Sequence, residues 1–140
     1  MIKLLLLSIA LCAPGLAGAT TIRVENRSST KLKLTVKHAP GDVIHTLPPT
    51  LSPHAIAFVR RPGVKVLTPT NEAAADLIDI VVTDRNGRGC HFRTIAEPHS
   101  DALVLIVPVA TAIGSSHCEA RTGRTIGDFV FIAARKPAGA

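Results

Sequence analysis

The sequence runs to 140 residues, 46% of them hydrophobic, with 16 Lys and Arg against 10 Asp and Glu, six His, three Cys, four Phe and neither Trp nor Tyr. That length allows one small domain. The scarcity of aromatic side chains argues against the base-stacking platforms that single-stranded nucleic acid requires.

At the start of the chain, Met1-Ile2-Lys3 supplies a positive charge, and Leu4 to Ala13 is a ten-residue apolar run broken only by Ser8. The run is too short to cross a bilayer of roughly 30 Å as a helix. Pro14-Gly15 and small residues follow, with Ala17 and Ala19 in the A-x-A positions of a cleavage site. The pattern predicts a signal peptide over 1–19, cut after Ala19. Lipid modification at Cys12 fits less well, because Leu11 stands where Gly or Ala is required.

Subtracting 19 from 140 leaves 121 residues, and Lys3 and Cys12 leave with the leader. The remaining chain has 15 basic and 10 acidic side chains, a net charge of +5, and the cysteines Cys90 and Cys118. In an exported chain, periplasmic or secreted, an even pair reads as one disulfide. The longest later apolar run, Ala102 to Val107, is too short to span a membrane, so the processed chain is not expected to be an integral membrane protein.

After residue 19, Val, Ile and Thr number 35 and Leu only 8, and branching at Cβ favours a pleated sheet over a helix. The first strand is expected at 21–25, ahead of the turn Asn26-Arg27-Ser28-Ser29. Asn26-Arg27-Ser28 also matches a glycosylation sequon, but a turn accounts for it. Lys31 to Lys37 alternates strictly, burying Leu32, Leu34 and Val36 and leaving Lys31, Lys33 and Lys37 in water.

Further strands are expected at 43–47, 54–60, 64–67, 77–83, 90–95, 102–109, 117–121 and 126–133, with turn residues between them. Asn71 is the candidate cap of a single helical turn. Asp84-Arg85-Asn86-Gly87 begins like a calcium loop but lacks its later acidic ligands, and its Asn-Gly pair fits a tight hairpin better. Ala102 to Val107 is apolar on both alternating faces, which predicts a central strand, with Pro108 marking its end, a bulge or an edge. Phe58, Phe92, Phe129 and Phe131 are assigned to the core or its margin. Lys136 to Ala140 reads as a frayed tail.

These signals predict an all-β fold: a small antiparallel β-sandwich over 20–135, Ig-like or a related Greek key, with one disulfide. The chain nevertheless lacks the Trp packed on the disulfide and the tyrosine corner of immunoglobulin domains.

No catalytic motif emerges. There is neither a G-x-S-x-G elbow nor an H-E-x-x-H helix, and His99, Ser100 and Asp101 are chain neighbours that cannot converge as a triad. The expectation is a non-catalytic binding or interaction module of the cell envelope or extracellular space, with no cofactor. Two constellations carry chemistry. Arg23, Lys31, Lys33 and Lys37 form a candidate basic face for an anionic envelope component, the same lysines being more simply explained as protection of a sheet edge; another protein is the other partner considered, and nucleic acid is not expected. The alternative function is metal binding. If Cys90 and Cys118 face each other on antiparallel strands, the same register sets His91 beside His117, a pair that suits Zn or Cu.

Overall fold

The computed structural model describes residues 20–61, 77–101, 103–124 and 127–135. The signal peptide expected over 1–19, the strand expected at 64–67, the helical turn expected at Asn71 and the tail expected from Lys136 lie outside the described residues. Nine strands and one short helix follow in chain order within them: β1 (Thr20–Asn26), β2 (Leu32–His38), α1 (Gly41–Thr46), β3 (Thr50–Leu51), β4 (Ile56–Arg61), β5 (Asp79–Thr83), β6 (Gly89–Ser100), β7 (Leu103–Ile113), β8 (Ser116–Thr122) and β9 (Phe129–Arg135).

The strands form two sheets, ordered β4-β1-β9-β8 and β3-β2-β5-β6-β7. The pairs are antiparallel except that β1 runs parallel to β9, a departure from the wholly antiparallel expectation. Parallel strands need a long crossover, and here nearly the whole described chain lies between the two.

Alternation decides which side chains fill the space between the sheets. In β2, Leu32 and Leu34 are buried while Lys33 and Thr35 face water, as the period-two pattern requires. Ile22 and Val24 of β1, Phe129 and Phe131 of β9, Ile80 and Val82 of β5, and Phe92 of β6 join one apolar core. The Phe92 and Phe131 rings stack across the two sheets with centroids 5.1 Å apart. Phe58 is the exception among the aromatics. It is 66% exposed, because Ala57 and Val59 take the inward positions of β4 and the alternation turns Phe58 out.

Two segments expected as strands differ. Residues 43–47 lie mostly in α1, where the Pro40 carbonyl accepts from the N–H groups of Val43 and Ile44, and Val43 is fully buried. Burial of that one side chain outweighs the strand preference of Val43-Ile44. Arg61 fastens the helix to β4, its Nε 2.8 Å from Asp42 Oδ2, and this hydrogen bond holds the Asp42 carboxyl below its ordinary pKa. Of the run expected as a central strand, Leu103 to Val107 belong to β7, which ends its sheet rather than lying at its centre.

The Asn-Gly hairpin forms as expected between β5 and β6. Gly87 adopts φ 74°, a left-handed conformation that suits glycine, and its N–H bonds the Asp84 carbonyl at 3.1 Å. Asp84 Oδ1 accepts from the N–H groups of Asn86 (2.8 Å) and Arg88 (3.0 Å), while Arg88 Nε lies 3.3 Å from Oδ2. Partial burial pushes the Asp84 carboxyl up, but these N–H groups and the guanidinium outweigh it and hold its pKa below the ordinary value. A carboxyl whose pKa is lower folded than unfolded adds stability that is complete above the unfolded value and is lost as pH falls through the folded one. Asp84→Ala should therefore lower the Tm at neutral pH, and calorimetric scans should show the gap narrowing below about pH 4. A gap that widened in acid would contradict this role.

Candidate functional site

The disulfide fixes how the candidate residues are placed. Cys90 of β6 is bonded to Cys118 of β8, with Cα atoms 5.7 Å apart, and the two strands belong to different sheets. The bond therefore crosses the core rather than joining neighbours in one sheet. In its own sheet β6 pairs with β5 and β7, and β8 pairs with β9.

The register expected to bring His91 beside His117 is accordingly not formed. Cys90 and Cys118 point into the core, so the next residue in each strand turns outward, and the two imidazoles face away from opposite sides of the molecule. His91 has another partner. Its Nε2 lies 2.5 Å from Asp79 Oδ1, on the outer face of the five-stranded sheet. Among the described residues no three His, Cys, Asp or Glu side chains are grouped so as to hold a metal ion.

The basic face divides in the same way. Lys33 and Lys37 are exposed on β2 in the five-stranded sheet, and Lys31 is exposed one residue before that strand. Arg93 of β6 is exposed on the same outer face, opposite Asp79. Arg23 is not with them. It lies on β1 of the other sheet, where its Nε sits 2.6 Å from Glu25 Oε1, and Arg27 Nε reaches Glu25 Oε2 at 2.7 Å. Glu25 is almost wholly buried between two guanidinium groups, so Arg23 is committed to structure.

Three more arginines are paired with carboxylates, Arg61 with Asp42, Arg88 with Asp84 and Arg121 with Glu119. Lys31, Lys33 and Lys37 have no carboxylate partner among the described residues. Their charge is presented to solvent rather than neutralised within the fold.

A cleft of about 80 Å³ opens near the disulfide, lined among others by Ser28, Thr30, Asp84, Arg88, Ser116 and Arg135. It offers hydroxyl groups, and Asp84 offsets the charge that Arg88 brings. One wall is held by a cluster that the sequence signals did not show. Asn26 is 1% exposed; its Nδ2 donates to the carbonyls of Thr30 (2.8 Å), Leu51 (3.1 Å) and Ser52 (3.1 Å), and its Oδ1 accepts from the N–H and hydroxyl of Ser28. The sequon at Asn26 therefore has its amide nitrogen inside the fold and fully engaged. The His91–Asp79 contact depends on the loop length. A two-residue Asn86-Gly87 turn would pair Asp79 with Thr94 and put His91 on the other face, whereas the observed register pairs Asp79 with Arg93 and makes His91 its diagonal neighbour.

No protein-family model matches the chain, and no curated protein matches it either. No helix among the described residues is long and apolar enough to cross a membrane.

Proposed function

We propose that this protein is an exported, non-catalytic binding module that engages an anionic component of the cell envelope or extracellular space through Lys31, Lys33 and Lys37. The observation that carries the reading is that Lys31, Lys33 and Lys37, close together along one segment, have no carboxylate partner among the described residues, whereas Arg23 is held by Glu25 on the other sheet. Lys31 and Lys33 stand about 7 Å apart, inside a Debye length of about 8 Å at physiological salt, and Lys37, four residues beyond Lys33, lengthens the row to about 20 Å, which suits an extended anionic surface. The basic composition and the signal-like N-terminus support the same reading. The two-sheet order and the disulfide across the core support an Ig-like or related Greek-key sandwich as the scaffold.

Cosedimentation with phosphatidylglycerol vesicles, and separately with lipopolysaccharide, tests the proposal. Binding should weaken as salt rises and fall at least about tenfold when Lys31, Lys33 and Lys37 are changed together to Gln, with little change in Tm because the side chains are solvated. Arg23→Gln should leave binding unchanged, since that guanidinium is on the other sheet. Absence of binding at low salt, or binding that survives the triple substitution, would reduce the lysines to protection of a sheet edge.

A further inference from the structure

β7 is the longest edge of the described fold. It pairs with β6 on one side, and no described strand is hydrogen-bonded to its other side. From Leu103 to Ile113 it carries no ionisable side chain, while the β4 edge bears Arg60 and Arg61 and the β8 edge bears His117, Glu119 and Arg121. A long, uncharged, apolar edge is a template for another strand.

The direction of its backbone groups follows from one hydrogen bond. Thr94 donates its N–H to the Ile78 carbonyl at 2.9 Å, so its polar groups point away from β7, and its pair with Pro108 is a non-hydrogen-bonded one. Counting back from Pro108 by twos, Ile106 and Val104 also turn N–H and C=O to the open edge. At Pro108 the edge has a carbonyl but no N–H.

We propose that a second copy of this chain pairs antiparallel along this edge, with the twofold axis at Leu105. The strand is then self-complementary: Val104 of each copy faces Ile106 of the other, and each such pair exchanges both of its N–H···O bonds. Moving the axis to Val107 would set Pro108 against Ile106 in the two pairs that flank the axis, whereas with the axis at Leu105 the missing N–H falls at the ends of the paired stretch, so the proline favours the Leu105 register. Leu105, 40% exposed, meets the partner's Leu105 in a non-hydrogen-bonded position, where cross-strand side chains come closest. A second copy is the occupant that the charges favour. The chain carries a net positive charge, yet this strand has no ionisable side chain, so pairing it with its own copy sets no like charges of the strand against each other. The inference does not depend on the lysines of β2.

Sedimentation velocity of untagged protein between about 1 and about 100 μM should show a reversible monomer–dimer equilibrium. Leu105→Lys places two ammonium groups at the axis and should weaken the dimer at least about tenfold with the melting temperature retained. Phe58→Lys, on the outer face of the other sheet, should leave it unchanged. In the unaltered protein, amide exchange at Val104 and Ile106 should slow as concentration rises, a readout that needs no substitution. Monomer throughout, loss of the dimer on Phe58→Lys alone, or open-ended polymer in place of a closed dimer would each overturn the proposal.

Discussion

Asn26→Ala should be among the most damaging single substitutions in this protein, costing about 3 kcal/mol and lowering the Tm by on the order of 10 °C. The side chain joins three segments of chain. Its amide donates to Thr30 in the turn after β1, to Leu51 at the end of β3 and to Ser52 beyond it, and its carbonyl oxygen holds Ser28 through two donors. Alanine would leave those carbonyls and the Ser28 N–H without partners in a site that the asparagine shields, and an orphaned buried polar group costs more than the lost bond. Asn26→Asp should be no better, since a carboxylate cannot donate and would face the carbonyls as a charge. Denaturant melts of both variants decide the matter. A loss under about 1 kcal/mol would show that water replaces the amide readily.

The second large effect belongs to the disulfide. Cys90 and Cys118 are 28 residues apart, and in the loop-entropy treatment closing that loop in the unfolded chain corresponds to about 3.5 kcal/mol. The bond also ties β6 of one sheet to β8 of the other, at a point where Cys90 is fully buried. The Cys90→Ala, Cys118→Ala double variant should unfold at lower temperature and denaturant. Unfolded, non-reduced wild-type protein should titrate no thiol at either position. Wild-type stability in the double variant would leave the bond without the constraining role argued here.

Much of the local structure was legible from residue type and spacing. The alternation of Lys31 to Lys37 fixed which β2 side chains enter the core, and Asn86-Gly87 placed the β5–β6 turn, because both depend on neighbours within a few residues. Val43 and Ile44 misled for the converse reason. Their strand preference is worth tenths of a kcal/mol, and burial of Val43 against the rest of the fold overrode it in α1.

The run at 102–107 shows a different limit. Its apolar residues on both faces suggested cover on both sides, yet cover is a matter of faces and edge position a matter of hydrogen bonds. Ile106 packs against the core, Leu105 stays on the open face, and the strand still ends its sheet. Phe58 carries the same lesson, since hydrophobicity placed it inside and the parity set by Ala57 and Val59 turned it out.

For the candidate sites, the sequence by itself determined the inventory: three lysines on the outward phase of one alternating segment, two cysteines to pair, and six histidines. Only the tertiary structure decided who meets whom. That Arg23 is bound to Glu25 on the other sheet, that His91 pairs with Asp79 and faces away from His117, and that the disulfide crosses the core all follow from the order of strands in two sheets. Strand order is set by contacts between residues far apart in the chain, such as the parallel pairing of β1 with β9, and no local period in the sequence encodes a partner that distant.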